Sequence, residues 1–203
     1  IVSANQAAGF SVVQYTGDAN SSSTIGHGLT PNSQPMLVIM KDLDSSNDWM
    51  VITNNLWSNP TAYFLKLNLT NALDTGTGNP YLVNNTVFKN TNRNTSLNNY
   101  IAYCFTSISG YSKVGSYSGT GAAQTITTGF QPGFLMVKAS SHASSWYIVD
   151  SARTPNYFLS PNSSAAEYTD SGKITFTSNG FTLGSTSYNN SGYTWIYLAI
   201  KEN

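Results

Sequence analysis

The sequence has 203 residues, nine basic and nine acidic side chains, and only 9% charged residues, whereas soluble domains typically carry about 25%. This balance excludes the basic surface that nucleic acid requires and the polybasic patch that binds anionic membranes. The apolar runs are much shorter than the ~20 residues of a membrane-spanning helix. We therefore expect neither nucleic acid as a partner nor insertion into a membrane.

Neutral polar side chains replace the missing charges. The chain contains 23 Asn, 28 Ser and 23 Thr residues, whose hydrogen bonds are barely affected by salt, unlike surface ion pairs. This composition favours an outward-facing structural surface. The single cysteine, Cys104, excludes an internal disulfide, and its apolar neighbours predict an inert buried thiol. The chain begins at Ile1 rather than at Met, which indicates a removed leader or a piece of a longer polypeptide.

Seven landmarks recur in the same order in the two halves of the chain. In chain order, residues 9–11 match 110–112, 13–17 match 115–119, 28–31 match 129–132, 36–41 match 134–138, 49–52 match 146–149, 63–65 match 157–159, and 100–103 match 197–200. The matches predict two tandem pseudo-repeats, 1–105 and 106–203. A very short join at 106–109 favours halves that pack together. The alternative is that the halves supply the opposing sheets of one sandwich.

Each copy contains six or seven short segments rich in strand-forming residues. In the second copy the predicted strands are 111–118, 123–128, 134–139, 146–150, 173–177, 180–184 and 193–200. Residues 173–177 alternate between polar and apolar, and Asn179-Gly180 indicates a two-residue hairpin. Residues 161–170 could hold at most one turn of helix. Many short strands at this spacing predict an all-β protein of the β-sandwich or jelly-roll type.

Few side chains in the sequence fit catalytic chemistry. His27 and His142 have no counterpart in the other copy and no metal-ligand spacing, so we interpret both as solvent-facing loop residues. The acidic stretch 41–48 lacks the central Gly and closing Glu of an EF-hand. We interpret it as a polar hairpin tip, with an isolated calcium site as the alternative. Asp150 and Arg153 should form a local pair. The sequence therefore predicts no catalytic, cofactor-binding or metal-binding residues.

Aromatic residues make up 13% of the chain and could serve binding. Trp49 and Trp146 stand at matching strand starts, which favours a duplicated core role, and Trp195 lies within a predicted core strand. Trp57 stands in a polar segment without a counterpart in the other copy. It is our one candidate for stacking on a sugar or contacting a partner.

Several motifs resemble a duplicated all-β domain of bacteriophage virion proteins, common in marine phages and in tail-fibre-like products. They are GFSVVQYTG at 9–17, GYSKVGSYSG at 110–119, GFQP at 129–132, WYIVDSAR at 146–153, SNGF at 178–181 and SGYTWIYLA at 191–199. The resemblance covers nearly the whole chain. The first copy departs from it after Trp49, where the Asp-Ser-x-Arg pattern is missing. The resemblance implies a structural role in a virion and supplies no site residues.

We therefore expect a non-enzymatic protein of the virion surface, extracellular in location: a tail-fibre, capsid-decoration or host-attachment domain. Its partners would be other virion proteins or copies of itself in a homo-oligomer, since virion appendages are rotationally symmetric. A lectin-like carbohydrate-binding module that recognises a host surface glycan through loop aromatics is the alternative. A hydrolase on a jelly-roll scaffold is a third and weaker hypothesis.

Overall fold

The computed structural model describes residues 1–29, 36–54, 63–74, 81–82, 84, 86–91, 94–153, 157–170, 174–184 and 186–202. The chain divides into two compact units. Unit 1 comprises Ile1–Leu67 and Leu73–Ile108, and unit 2 comprises Asn68–Ala72 and Ser109–Asn203. The short segment Asn68–Ala72 is counted with unit 2, where the Thr70 carbonyl accepts a hydrogen bond from the Ser144 amide at 2.9 Å.

Unit 1 contains nine described strands in two sheets. They are β1 (Val2–Asn5), β2 (Phe10–Thr16), β3 (Ile25–Gly26), β4 (Met36–Asp42), β5 (Met50–Thr53), β6 (Leu65–Lys66), β7 (Tyr81–Leu82), β8 (Val87–Lys89) and β9 (Asn99–Thr106). The larger sheet has the order β1-β2-β9-β4-β5-β6 and the smaller one β3-β8-β7. Both sheets supply the core, with Val38 and Met40 from the larger and Ile25 and Phe88 from the smaller.

Unit 2 also contains nine described strands. They are β10 (Ser112–Ser118), β11 (Gln124–Thr127), β12 (Pro132–Ala139), β13 (Trp146–Asp150), β14 (Tyr157–Phe158), β15 (Tyr168–Thr169), β16 (Ile174–Thr177), β17 (Gly180–Leu183) and β18 (Thr194–Lys201). The sheets have the orders β10-β18-β12-β13, β11-β17-β16 and β14-β15. Leu135 and Trp195 of the first sheet share one core with Phe181 and Leu183 of the second.

The two units have the same strand order in their principal sheets. The run β2-β9-β4-β5 in unit 1 corresponds to β10-β18-β12-β13 in unit 2, and β3-β8-β7 corresponds to β11-β17-β16. Every strand pairing that the structure describes is antiparallel. The all-β class is confirmed. Among the described residues, no helix has the length and apolar character needed to cross a membrane.

The strand predictions for the second copy agree with the structure within one or two residues, but the position of one turn was wrong. The hairpin between β16 and β17 turns at Ser178 and Asn179, not at Asn179-Gly180. Gly180 is the first residue of β17, with φ 155°, and a Cβ there would lie 2.0 Å from the Ile126 carbonyl oxygen. Residues 161–170 contain no helical turn, which agrees with the limit of one turn set from the sequence, and they include β15.

Candidate functional site: a charged groove in unit 2

A groove of about 290 Å³ opens in unit 2 where the end of β13 approaches β16. Its polar lining includes Gln131, Asp150, Arg153 and Thr175, and its apolar lining includes Val149, Ile174 and Phe176. Two different sheets contribute these side chains, since β13 belongs to the four-stranded sheet and β16 to the three-stranded one. The volume is just below the range of ligand pockets, roughly 300–1,000 Å³.

Arg153, which lines the groove, lies between the carboxylates of Asp150 and Glu167. Its backbone amide donates to Asp150 Oδ1 at 3.0 Å, and its Nε donates to Asp150 Oδ2 at 2.8 Å. Its Nη1 donates to Glu167 Oε2 at 3.1 Å. The predicted local pair of Asp150 and Arg153 is therefore confirmed. Sequence reasoning missed Glu167. It lies 14 residues after Arg153, just before β15, and no local sequence pattern indicates that the two side chains meet.

The ion pair stabilises the charged form of both groups. Hydrogen bonds from Arg153 hold the pKa of Asp150 below its usual range, because they stabilise the carboxylate more than burial opposes it. The hydrogen bond with Asp150 raises the pKa of the Arg153 guanidinium. A carboxyl group that stays ionised at neutral pH is a poor general acid. Asp150 is suited instead to accepting hydrogen bonds.

The apolar lining of the groove is fixed by the core of unit 2. Phe176 packs against the core cluster, and Ile174 is a member of it. Val149 and Ile174 are buried, while Thr175 is exposed on β16. The groove thus offers charged and hydroxyl groups beside one aromatic ring, an arrangement that can hold a small ligand with both polar and apolar faces.

The matching strand end of unit 1 has different chemistry. Thr53 occupies the place of Asp150 and is buried. The following residue, Asn54, accepts a hydrogen bond from the Met36 amide through Oδ1 at 2.8 Å. Trp57, the binding candidate from the sequence, lies outside the described residues.

The two histidines differ, and the interpretation of His27 was wrong. His27 is buried, with 1% of its surface exposed, and its Nδ1 accepts a hydrogen bond from the Leu29 amide at 3.2 Å. Thr128 does the same work in unit 2, where its hydroxyl contacts the Phe130 amide and carbonyl. His27 therefore stabilises a buried turn, and its carbonyl accepts a hydrogen bond from the Ser11 hydroxyl. His142 is exposed as predicted, and its ring is parallel to that of Tyr193 at 3.7 Å.

The acidic stretch 41–48 is organised around the carboxylate of Asp42. Both oxygens of this buried carboxylate accept hydrogen bonds from Asn98 Nδ2, and further bonds come from the Asp44 amide and Asn47 Nδ2. Burial opposes ionisation, but these hydrogen bonds outweigh it and keep the pKa of Asp42 below its usual range. Among the described residues, no group of three or more His, Cys, Asp or Glu side chains could hold a metal ion.

The remaining sequence candidates divide between core and surface. Cys104 is buried, which confirms the prediction of a buried thiol, and burial raises its pKa to about 12. Trp146 and Trp195 are buried core-strand residues as predicted. Trp49 is only half-buried and stacks on Tyr103 with ring centres 6.5 Å apart, so its predicted core role was wrong.

Comparison with known proteins identifies one family. The profile described as "Domain of unknown function (DUF7483)" matches residues 1–203. No curated protein matches the chain, and no solved structure does.

Proposed function

We propose, from the premise that the chain belongs to the family described as Domain of unknown function (DUF7483), that it is a non-enzymatic structural protein of a bacteriophage virion surface. It would act as a tail-fibre, decoration or host-attachment domain outside the cell. The observation that carries this proposal concerns the acidic side chains. Several of them accept hydrogen bonds that stabilise turns and do not face a reaction centre.

Three carboxylates illustrate this use. Asp18 accepts hydrogen bonds from the Asn20 amide and the Ser23 hydroxyl. Asp42 is enclosed by amide donors, and Asp150 caps its own turn through the Arg153 amide. Side chains bound in this way fix the conformation of loops and are poorly available for proton transfer. They favour a rigid scaffold that presents its loops.

Neutral amides have the same structural use. Asn189, which is fully buried, accepts from the Thr120 amide at 2.9 Å and donates to the Ala122 carbonyl. In unit 1 the buried Asn94 donates to Asp18 and to the Asn20 carbonyl. Such contacts are little affected by salt, which suits a surface exposed to changing media.

We further propose that the chain is a tandem duplication of a β-sandwich of jelly-roll type. The shared strand order of the two units supports this proposal, as do the recurring sequence landmarks. A virion role would require assembly with copies of itself or with other virion proteins, since closed rotational symmetry is the rule for such appendages.

The test uses purified particles of a phage whose genome encodes this chain. We expect peptides of the chain in the particle proteome and antibody labelling on the outside of intact virions. A cytosolic host protein from the same lysate is the contamination control. Absence from washed particles would contradict the proposal. A cryo-EM map then separates attachment, with loops outward at a fibre tip, from decoration, with loops buried in a lattice.

A lectin-like carbohydrate-binding module is the second candidate function, and the groove beside Asp150 and Phe176 favours it. Protein sites for sugars combine ionised or amide hydrogen-bonding groups with an aromatic face. A glycan array with the whole chain tests this function. Trp57→Ala is the companion variant, since Trp57 is the exposed-aromatic candidate from the sequence.

A further inference from the structure

The loop that follows β2 in unit 1 places an ionised carboxylate beside a buried amide side chain. The carboxylate is that of Asp18, and the amide is that of Asn94, a residue only 6% exposed. We propose that Asp18, Asn94 and the backbone carbonyl of Asn20 bind a calcium ion. This inference goes beyond the structural role proposed above and does not depend on it.

The corresponding loop of unit 2 has the same backbone arrangement. The Ala19 amide donates to the Asn94 carbonyl at 2.9 Å in unit 1, and the Gly121 amide donates to the Asn189 carbonyl at 2.7 Å in unit 2. Both donors have a left-handed backbone, with φ 58° at Ala19 and 71° at Gly121. Asn94 and Asn189 therefore occupy equivalent positions, and their side chains can be compared directly.

The side-chain oxygens of these two asparagines have different surroundings. Asn189 Oδ1 accepts hydrogen bonds from the Thr120 amide at 2.9 Å and from Gln124 Nε2. Asn94 Oδ1 is buried and accepts no hydrogen bond within the part of the chain that the structure describes. A buried polar atom without a partner is unfavourable. The loop of unit 1 thus lacks a contact that its counterpart in unit 2 has.

Turning the Asn94 carboxamide over does not remove this conflict by itself. Its Nδ2 donates to Asp18 Oδ1 and to the Asn20 carbonyl, so the exchange of Nδ2 and Oδ1 would place three oxygen atoms together. A cation among them would convert the repulsion into coordination, because carboxylate, amide and backbone carbonyl oxygens are the ligands that Ca²⁺ takes.

The turned carboxamide would also face an acceptor on its other side. A Cβ at Gly17 would lie 3.1 Å from Asn94 Oδ1 and 2.0 Å from the Thr95 carbonyl oxygen. The present orientation therefore brings Oδ1 to the side of the loop where another acceptor lies. After the exchange, Nδ2 would be on the side of the Thr95 carbonyl, and Oδ1 would face the ion.

Asp18 is ionised, oriented and open to solvent. Hydrogen bonds from the Ser23 hydroxyl and the Asn20 amide hold the pKa of Asp18 below its usual range. Asp18 is exposed and lines a cleft of about 360 Å³ together with Ser23, Thr24 and Asn94. An ion can therefore reach the carboxylate, and the cleft has room for its water ligands.

The ligand set favours Ca²⁺ and predicts weak binding. Three protein oxygens leave the rest of the roughly six to eight ligands of Ca²⁺ to water, and Mg²⁺ demands a more regular geometry. A single carboxylate predicts a dissociation constant of about 1 mM, the weak end of protein calcium sites. Such a site differs from a group of three or more His, Cys, Asp or Glu side chains, which the described residues do not contain.

The test is an NMR titration of the whole ¹⁵N-labelled chain with CaCl₂, and separately with MgCl₂, at constant ionic strength. Asp18→Thr removes the carboxylate and introduces the residue type that unit 2 has at the matching position, Thr120. Asp44→Asn is the matched control, because it removes the same charge from another loop of unit 1, where Asp44 accepts from the Asn99 amide. Thermal denaturation checks that each variant is folded.

We expect the amide signals of residues 18–23 and the side-chain NH₂ signals of Asn94 to shift, with half-saturation at about 1 mM Ca²⁺. Half-saturation with Mg²⁺ should need a concentration at least about tenfold higher. Asp18→Thr should weaken Ca²⁺ binding at least about tenfold, since the charge of the ligand set is lost. Asp44→Asn should leave it unchanged, and the signals of residues 119–124 in unit 2 should not move.

Several results would overturn the inference. An absence of shifts up to about 20 mM Ca²⁺ would exclude the site. Shifts that survive Asp18→Thr would place the ion elsewhere, and shifts that disappear in Asp44→Asn would place it in the acidic stretch 41–48. Loop shifts with unmoved Asn94 side-chain signals would remove Asn94 from the coordination. The virion role is decided separately, by particle labelling.

Discussion

The loops that follow β4 in unit 1 and β12 in unit 2 both begin at a lysine whose ammonium binds loop carbonyls. The contacts that join each loop to the rest of its unit are different. Lys41 Nζ donates to the carbonyls of Asp42 and Ser45, both at 2.7 Å. Lys138 Nζ donates to the Ala139 carbonyl at 2.6 Å and lies 3.5 Å from that of His142. In both units the ammonium thus contacts the carbonyls one and four residues further along. The strand-end lysine organises the turn independently of the residues that follow it.

The link from each loop to the last strand of its unit has different chemistry. Unit 1 uses charge, because Asp44 Oδ2 accepts from the Asn99 amide at 2.6 Å and Asp42 accepts from Asn98. Unit 2 uses neutral contacts, because the Ser140 hydroxyl donates to the Thr194 carbonyl at 3.0 Å. The comparison teaches that one backbone arrangement can be held by carboxylates or by neutral groups, with different responses to pH.

The largest expected difference between the units concerns the two matching tryptophans. Trp146 is 1% exposed, and Trp146→Ala should lower the free energy of unfolding of unit 2 by about 3–5 kcal/mol, as for other buried large-to-small changes. Trp49 is half-buried, and Trp49→Ala should cost unit 1 only about 1–2 kcal/mol. Urea titration followed by hydrogen-exchange mass spectrometry reports each unit separately. Equal losses would contradict the different burial of the two rings.

Asp42→Asn tests the charged link of unit 1. We expect a loss of about 2–3 kcal/mol at pH 7, because an amide cannot accept all the hydrogen bonds that Asn98, Asn47 and the Asp44 amide donate. The folded pKa of Asp42 is lowered, so its contribution is present above the unfolded value of about 3.9 and is lost as the pH falls below it. The stability gap between the wild type and the variant should therefore narrow as the pH falls from 7 to 3, measured by thermal denaturation. A gap of the same size at pH 3 and pH 7 would mean that ionisation is not the cause.

Lys138 provides the corresponding test in unit 2 at alkaline pH. This side chain is fully buried, and burial lowers the pKa of its ammonium to about 8. Between pH 8 and pH 10 the unfolded chain therefore binds more protons at this residue, and its contribution to stability should rise by about 2 kcal/mol.

The measurement compares wild type with Lys138→Met at both pH values. The comparison cancels tyrosine ionisation, which both proteins share, including that of Tyr117 and Tyr197, whose pKa values burial raises. Wild type should gain about 2 kcal/mol relative to the variant on going from pH 8 to pH 10. A constant difference would show that the ammonium is hydrated in the fold.

The smallest expected effect concerns a backbone position two residues before the last strand of each unit. Unit 1 has Leu97 there with φ 67°, and unit 2 has Gly192 with φ 81°. Leu97 is 80% exposed, so its side chain contributes little burial and its left-handed backbone costs about 1 kcal/mol. Leu97→Gly should therefore stabilise unit 1 by up to about 1 kcal/mol.

Two further variants isolate the backbone effect. Gly192→Leu should destabilise unit 2 by about 1 kcal/mol from backbone strain, since a Cβ at Gly192 would meet no atom within 4 Å. Leu97→Ala removes the side chain but keeps the left-handed strain, so it should bring no gain. A gain in Leu97→Ala equal to that in Leu97→Gly would assign the effect to the exposed side chain instead.

Much of the fold of unit 2 could be predicted because its strands carry local patterns. The alternation in β16 and the β-forming run of β18 depend only on neighbouring residues. The short pair β14 and β15 could not be predicted in this way, since each has two residues and is defined by its partner. Two-residue strands have no periodicity of their own.

In the candidate site, too, local sequence predicts some features and the fold alone determines the others. The pairing of Asp150 with Arg153 follows from their separation of three residues, whereas Glu167 joins them only through the fold. The groove is equally a product of the fold, because β13 and β16 belong to different sheets. Sequence reasoning identified two of the three charged residues and could not locate the groove.

The sequence by itself determined the all-β class, most strands of unit 2 and the buried thiol of Cys104, because these depend on composition and on short-range periodicity. Only the tertiary structure decided that His27 is buried while His142 is exposed, and that Trp146 is in the core while Trp49 is half-buried. Burial depends on which surfaces a distant part of the chain covers. Two residues with similar local sequence can therefore have different surroundings, and with them different chemistry.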